Sequence, residues 1–203
     1  MKKLKIAVMG STKGTDLQAV IEAIESGDLN AGLVGVFSNK EDAFILERAR
    51  SHNLPAEFLN PDGLEKEEYD AKLIEKIDKS EADYILLIGY NKILTKKFVD
   101  RFWGKAMNIH PSLLPSFKGW DRNVHKEVIE FGCRVSGCTL HLLTTEMDSG
   151  PIVGQKCVRV DPGETQDSLK EKVQNAEQEL IVETLKKLED STIRIDGNRV
   201  LFE

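Results

Sequence analysis

The sequence predicts an α/β fold with a doubly wound, mostly parallel sheet. Continuous apolar runs such as residues 4–9 and 82–90 are typical of strands that are buried on both faces of a parallel sheet. The stretches between such runs carry apolar residues at helical spacing, and this alternation is typical of βαβ units. With 203 residues the chain is long enough for one sizeable domain and short for two. We therefore expect a single domain over residues 1–203.

The first unit is a strand, a glycine-containing loop and a helix, which together predict a Rossmann-like N-terminal half. Residues 4–9 form the strand, residues 10–16 the loop, and the apolar residues of 17–24 recur on one face of the helix. Loop N–H groups and a helix N-terminus attract anions, so the loop is a candidate phosphate site; a plain tight turn is the alternative. Its spacing fits neither the P-loop pattern nor G-x-G-x-x-G.

The remaining elements follow in chain order. We expect further strands at residues 33–37, 55–59, 82–90, 106–109, 137–143 and 155–160. Helices are expected at residues 42–50, 69–77, 123–131 and 169–188. Asp196 and Gly197 lie between two apolar stretches and predict a terminal hairpin. Antiparallel strands should therefore join the sheet late in the chain.

Asn108 and His110 are the polar residues that stand out at the end of the apolar run 106–109. Strand spacing of two places both on one face, and Pro111 ends the strand because it has no N–H for a ladder. Open α/β sheets hold their ligands at the carboxyl ends of strands. A carboxamide and an imidazole there could stabilise the oxyanion that forms when a nucleophile attacks a carbonyl. The alternative is a strand end whose polar groups satisfy a loop.

Three segments together resemble the folate-dependent formyltransferases, and among them those that act on glycinamide ribonucleotide (GAR). They read MNIHPSLLP at 107–115, GYNKIL at 89–94 and TTEMDSGPI at 144–152. The resemblance runs from about Ile6 to about Glu179, nearly the whole chain. It implies the formyltransferase fold and transfer of a formyl group from 10-formyltetrahydrofolate to the amine of GAR, a step of de novo purine biosynthesis.

The resemblance also implies a catalytic set of Asn108, His110 and Asp148. Asn108 and His110 would stabilise the oxyanion, while Asp148 would hold His110 charged and, through water, pass protons from the attacking amine to the leaving nitrogen. His141 would buttress this cluster, although a satisfied core histidine is the alternative. His125 is expected to be a packing or hydrogen-bonding residue of a surface helix. No metal and no covalent intermediate are required.

Two binding regions are implied in the same way. The pterin of the folate would contact Lys92, Ile93, Leu94, Asn108, Thr144 and Asp148. The acceptor would contact Ser11, Thr12, Lys13, Gly14, Thr15, Asp16, Lys66, Gln174 and Glu177. Thr12 and Asp16 depart from the glycine and asparagine that relatives carry in the loop, and extra residues at 120–123 replace part of a His-x-His pattern. We expect Asp16 to act mainly as the cap of the helix that follows.

Net charge, apolar run length and cysteine content restrict the kinds of partner and the compartment that we expect for this chain. The net charge of −6 without a basic cluster argues against nucleic acid, and no apolar run is long enough to span a membrane or to form a signal peptide. The three cysteines lack metal-ligand spacing and indicate reduced thiols in the cytoplasm. Small-molecule substrates and a monomer or homodimer are expected.

Three alternative functions stay open. Water could replace the amine, as in a formyltetrahydrofolate hydrolase, although family hydrolases carry an N-terminal regulatory domain that this chain lacks. A different amine, such as an amino sugar, could be the acceptor, because the phosphate loop is altered. A non-catalytic folate- or nucleotide-binding protein is the third, and the complete Asn108, His110 and Asp148 set argues against it.

Overall fold

A computed structural model describes residues 3–119 and 122–203. Trp120 and Asp121, which begin the segment that departs from the formyltransferase pattern, lie outside the described residues. Within the described part, no helix is both long and apolar enough to cross a membrane.

Nine strands form a single sheet in the described residues, in the spatial order β3-β2-β1-β4-β5-β6-β7-β9-β8. The strands are β1 (Leu4–Gly10), β2 (Ala31–Ser38), β3 (Ala56–Phe58), β4 (Tyr84–Ile88), β5 (Ala106–His110), β6 (Val135–Leu142), β7 (Ile152–Arg159), β8 (Ile193–Asp196) and β9 (Arg199–Phe202). The pairs among the first five strands are all parallel, as is the pair of β7 with β9. β6 pairs antiparallel with β5 and with β7, and β8 pairs antiparallel with β9. The doubly wound, mostly parallel sheet is confirmed, with a switch point between β1 and β4.

Helices cover both faces of this sheet. They are α1 (Thr15–Glu25), α2 (Phe44–Ser51), α3 (Lys66–Ser80), α4 (Lys96–Arg101), α5 (Val124–Phe131) and α6 (Gln166–Asp190). One hydrophobic core joins the β1 residues Ile6 and Val8 to α1, α2, α5 and α6. The other joins the alternate β1 residues Ala7 and Met9 to α3 and α4. Successive strand residues point to opposite faces, which is why a continuous apolar run is needed for a strand that is covered on both sides.

The sequence missed one element and placed the starts of several others too late, β6 and β7 among them. α4 spans only Lys96–Arg101, which is too short to show a helical period, and its start is set by Thr95, whose side chain accepts the Phe98 N–H. β6 and β7 begin earlier than expected because their ladder includes polar and exposed residues that an apolar pattern does not detect. The terminal hairpin is present as β8 and β9.

Candidate active site

Four polar side chains lie together on one face of the central sheet. Asn108 and His110 lie two residues apart on β5. In the antiparallel pair with β6, Asn108 lies opposite His141 and His110 lies opposite Thr139. This face is the one that carries Ala106 and packs against α3 and α4. His110, His141 and Thr139 are buried, whereas Asn108 is half-buried and therefore accessible to a ligand. The same-face expectation for Asn108 and His110 is confirmed.

His141 fixes the orientation of the Asn108 carboxamide. The Nδ1 of His141 lies 3.0 Å from the carbonyl oxygen of Leu142, so that nitrogen donates and the Nε2 is left as an acceptor. The Nδ2 of Asn108 lies 3.2 Å from this Nε2 and donates to it. An amide nitrogen has two N–H groups, so one remains to donate to a substrate oxygen. His141 therefore buttresses the cluster.

The loop after β5 is held by Thr139. The Oγ1 of Thr139 donates to the carbonyl of Ser112 at 2.7 Å and accepts the N–H of Leu114 at 3.0 Å. Gln155, on β7, donates both to this hydroxyl at 2.9 Å and to the carbonyl of Leu114 at 3.0 Å. The loop that starts at Pro111 is thus tied to the sheet, and its backbone is brought over His110.

Asp148 reaches the two histidines from the loop between β6 and β7. Its Oδ2 lies 3.5 Å from the Nδ1 of His110, and its Oδ1 lies 3.6 Å from the Nε2 of His141. The N–H of Gly119 donates to the Oδ2 at 3.0 Å. The side chain of Asp148 is only 8% exposed. Its backbone has a positive φ of 49°, and Gly150 lets the loop return to the sheet because a Cβ there would overlap the carbonyl of Leu142.

The surroundings of Asp148 keep its carboxyl ionised. Burial alone would raise its pKa, but the neighbouring His141 ring, the hydrogen bond from the N–H of Gly119 and the charge of His110 outweigh burial and hold the pKa at about 2. A carboxylate with such a low pKa is a fixed negative charge at neutral pH, and it is a poor base.

The charge of the His110 imidazole depends on its burial and on its neighbours. Burial lowers its pKa below the ordinary 6.5, and the opposing effects of Asp148 and of the Phe117 carbonyl are smaller. Burial therefore favours the neutral ring near pH 7 in the unliganded protein, although Asp148 acts in the opposite direction; that Asp148 holds His110 charged during the reaction stays a prediction. The Nε2 lies 3.0 Å from the carbonyl oxygen of Phe117. Because both ring nitrogens face an acceptor, a proton gained during a reaction would be well accommodated.

The loop between β1 and α1 presents an uncapped helix N-terminus. Gly14 is the N-cap residue, with φ of 63°, and no side chain caps the helix. A Cβ at Gly14 would overlap the side chain of Ile45, so only glycine allows this approach to α2. The first N–H groups of a helix have no intrahelical partner. They are available to an anion here.

Asp16 is not the cap of α1, and that prediction was wrong. The residue is the second of the helix, is buried, and its Oδ1 has no hydrogen-bond partner in the described part of the chain. Its side chain packs towards α6, where Glu177 is also buried. The tertiary contact between the two helices, which local sequence cannot show, decides the orientation of Asp16.

Ser11 ties this loop to its neighbours rather than leaving a free hydroxyl. Its Oγ donates to the Oδ1 of Asn39 at 2.5 Å and accepts the N–H of Asn91 at 2.9 Å. The Nδ2 of Asn39 donates to the Oδ1 of Asn91 at 2.9 Å, and the N–H of Ser11 donates to the carbonyl of Gly89. These bonds join the carboxyl ends of β1, β2 and β4. No local sequence pattern pointed to this network.

The expected pterin-binding residues lie on two loops near β5. The Nζ of Lys92 lies over the aromatic ring of Tyr69, 4.9 Å from the ring centroid. Ile93 is 61% exposed, and Leu94 packs partly into the core beside α3 and α4. Thr144 donates to the carbonyl of Glu146 within the loop that carries Asp148.

The other expected acceptor contacts differ in their exposure. Lys66 is exposed in the first turn of α3, and Thr12 and Lys13 are exposed in the loop before α1. Thr15 and Gln174 are half-buried, and Glu177 is buried. Two backbone groups that the sequence could not indicate, the Phe117 carbonyl and the Gly119 N–H, contact His110 and Asp148 directly. His125 is half-buried on α5, and its Nδ1 has no partner among the described residues, so its hydrogen-bonding role is not observed.

Within residues 3–119 and 122–203, no group of three or more His, Cys, Asp or Glu side chains is arranged to hold a metal ion. The three cysteines are unpaired, with Cys138 buried and Cys157 exposed on β7.

Comparison with known proteins gives one family. A profile described as formyl transferase matches residues 4–185. The chain is 34% identical over 196 residues to phosphoribosylglycinamide formyltransferase of Escherichia coli (strain K12), covering 96% of this chain and 92% of the relative. It is also 34% identical to the trifunctional purine biosynthetic protein adenosine-3 of Bos taurus, of which it spans only 19%.

Solved structures agree with the sequence comparison. The crystal structure of phosphoribosylglycinamide formyltransferase from Coxiella burnetii superposes with a TM-score of 0.94 at 31% identity, covering 99% of this chain and 94% of that chain. Glycinamide ribonucleotide transformylase 1 from Symbiobacterium toebii gives a TM-score of 0.92 at 32% identity, covering 98% and 93% of the two chains.

Proposed function

Because the chain belongs to the formyl transferase family, we propose that it transfers the formyl group of 10-formyltetrahydrofolate to the amine of GAR in purine biosynthesis. The observation that carries this proposal is the cluster in which Asn108, His110 and Asp148 meet on one face of the sheet. The full-length bacterial relatives named for this reaction support it.

The phosphate of the acceptor would bind at the N-terminus of α1. The N–H groups of residues 12–16 and the helix dipole attract a dianion whatever the side chains are. The Ser11 N–H is already bonded to Gly89, so Ser11 would shape the loop rather than donate to phosphate. Lys13 and Lys66 would add positive charge from the exposed side of the site. Gln174 of α6 would contact the rest of the acceptor; Glu177 was expected to do so as well, but its side chain is buried and would act on the acceptor through Asp16.

The formyl carbonyl would be activated by two donors. Asn108 offers the N–H that His141 leaves available. His110 can donate from its Nε2 by exchanging the Phe117 carbonyl for the developing oxyanion, which replaces one acceptor with a stronger one. Stabilisation of an oxyanion by such a donor is typically worth about a hundredfold or more in rate.

A single proton must travel during the transfer. The acceptor amine loses a proton as its nitrogen bonds to the formyl carbon, and N10 of the folate gains one as its bond to that carbon breaks. The Nδ1 of the neutral His110, which carries no proton when Nε2 is the donor, would accept this proton through water, and the ionised Asp148, whose Oδ2 lies 3.5 Å from that nitrogen, would stabilise the imidazolium that forms. Water can complete the path where the geometry leaves a gap.

The pterin would lie against the loops of residues 89–94 and 144–148, in contact with Lys92, Ile93, Leu94 and Thr144. We expect 10-formyltetrahydrofolate, or a non-reactive analogue, to bind without added metal or nucleotide. Calorimetry measures this binding directly, and the absence of any signal up to about millimolar folate would contradict the pterin site.

A screen of acceptors with 10-formyltetrahydrofolate tests the function as a whole. We expect tetrahydrofolate release with GAR and formylation of its amine by mass spectrometry, but no comparable release with amino sugars or with water alone. Release without any amine would indicate a hydrolase, and activity with an amino sugar but not with GAR would indicate the other acceptor class.

A further inference from the structure

Asp16 and Glu177 form a pair of buried carboxyl groups where α1 packs against α6. Asp16 is 7% exposed and Glu177 is 6% exposed. The Oδ1 of Asp16 is buried without a hydrogen-bond partner in the described residues. Neither residue contacts the catalytic cluster, and capping of α1 does not account for Asp16 because Gly14 occupies that position.

The charged groups around the pair do not neutralise it. Lys170 of α6 acts on Glu177 through space and without a hydrogen bond. Burial and the positive charge of Lys170 lower the pKa of His125, on α5, below its ordinary value. Arg48 of α2 donates hydrogen bonds to the carbonyl of Lys13 and to the side chain of Gln18. On β7, Lys156 is paired with two other acids of α6, Glu179 and Glu183.

The thiol of Cys138, on β6, is affected by the same two carboxyl groups. Burial, together with the charges of Glu177 and Asp16, raises the pKa of the Cys138 thiol to about 12. Cys138 is fully buried in the core between the sheet and α6. Both carboxyls therefore face a largely apolar interior rather than water.

Two ionised carboxylates in such a place are unfavourable, because desolvation and mutual repulsion both favour the neutral acid. Burial raises the pKa of Asp16 to about 6, and burial together with Asp16 raises the pKa of Glu177 well above its ordinary range. Carboxyl pairs of this kind titrate as one unit. We propose that Asp16 and Glu177 share one proton in the folded protein, and that this proton sets the affinity for a phosphorylated acceptor. The proposal rests on the function proposed above.

The position of Asp16 links the pair to the acceptor. Asp16 directly follows Thr15, the first residue of α1, whose N-terminal N–H groups would hold the phosphate. A pair with one proton carries a single negative charge next to this dianion, whereas the fully ionised pair carries two. Repulsion therefore makes acceptor binding favour the protonated pair, and proton uptake from solvent accompanies binding. The KM for GAR should rise as the pair loses its proton, without a parallel change in kcat.

Steady-state kinetics with GAR from about pH 6 to about pH 8 test this link in the wild type, Asp16→Asn and Glu22→Gln. Glu22 is an exposed acid of the same helix and serves as the matched control. We expect KM to rise several-fold with pH in the wild type and in Glu22→Gln, and to change much less in Asp16→Asn. The phosphate of GAR itself titrates near pH ~6, but it does so equally with all three proteins and therefore does not account for a difference between them. Calorimetry in buffers of different ionisation enthalpy should show proton uptake in the first two proteins and less in Asp16→Asn.

Infrared spectroscopy of the unliganded protein tests the shared proton without any acceptor. A protonated-carboxyl band at neutral pH is expected in the wild type and should be absent from the double variant Asp16→Asn/Glu177→Gln. A wild type without this band overturns the proposal, as does an Asp16→Asn protein with the same pH dependence of KM as the wild type. If GAR is inert with every protein, the proposed function fails. In that case the affinity for sulfate, which is a dianion over the whole pH range, is measured instead. If this affinity depends on pH equally in the wild type and in Asp16→Asn, the proposal of a shared proton is overturned.

Discussion

Replacing Asp148 with Asn tests whether the negative charge of this residue, and not only its shape, organises the catalytic cluster. The carboxylate accepts the Gly119 N–H at 3.0 Å and lies 3.5 and 3.6 Å from nitrogens of His110 and His141. Asparagine keeps one acceptor oxygen, but it loses the charge and turns an NH2 group towards one of these neighbours. We expect formyl transfer to fall by about a hundredfold or more in a protein that remains folded.

The same substitution has a predictable effect on stability. The pKa of Asp148 falls from an ordinary 3.8 to about 2, and a difference of this size corresponds to roughly 2 kcal/mol of folding free energy. Because the folded-state pKa is the lower one, this contribution is present above the unfolded value near 4 and is lost as pH falls towards 2. Asp148→Asn should therefore be less stable than the wild type at neutral pH, and the gap should narrow below about pH 5.

Urea unfolding at several pH values measures the stability gap, and the pH profile of kcat/KM measures the effect on His110. A neutral His110 predicts that the wild-type rate rises through a pKa below 6.5 and is level near pH 7. Since Asp148 raises the pKa of His110, its loss should shift this acid limb to lower pH. A gap that is constant from about pH 7 to about pH 3, or an acid limb that stays in place, would refute the electrostatic account.

Three other substitutions test the arrangement at separate points. His110→Ala should remove nearly all transfer, and His110→Ala/Asp148→Ala should be little worse than the more severe single variant because the two act as a unit; rates that multiply would contradict this. Gly14→Ala should raise the KM for GAR more than it lowers kcat, since a Cβ there overlaps Ile45 and disfavours the positive φ; an unchanged KM would exclude the loop as the phosphate site. Thr139→Val should cost about 1–3 kcal/mol of stability, because the loop N–H and carbonyl bonded to the hydroxyl lose their partner, as urea unfolding would show. A fully stable variant would mean that water replaces the hydroxyl.

The parts of this molecule that sequence reasoning recovered are those set by local periodicity. Asn108 and His110 were placed on one face because strand spacing of two depends on nothing beyond β5 itself. The buried strands were found for the same reason, since two covered faces require an unbroken apolar run. The catalytic role of Asp148 is implied by a resemblance in the loop sequence and stays a prediction; the structure adds the positive φ and the Gly150 contact that bring the residue back to the histidines.

The parts that were missed depend on backbone groups and on long-range packing. The Phe117 carbonyl and the Gly119 N–H contact the catalytic side chains, but every residue has a carbonyl and nearly every residue an N–H, so no residue type marks them. The protonation state of His110 could not be inferred either. The sequence shows a nearby acid, whereas the depth of burial that outweighs it is a property of the folded chain.

Asp16 shows how a correct local rule can give the wrong role. An acid at the start of a helix is normally a cap or a favourable charge at the positive end of the helix dipole, and on that rule its presence beside a phosphate site is an unexplained repulsion. Packing of α1 against α6 instead buries the side chain, and this burial opposes the ionisation of Asp16, while Asp16 in turn opposes the ionisation of Glu177. If the two carboxyls share one proton, as proposed above, they carry one negative charge beside the proposed phosphate site instead of two. Under that proposal an aspartate in the first turn of α1 is compatible with a phosphorylated acceptor.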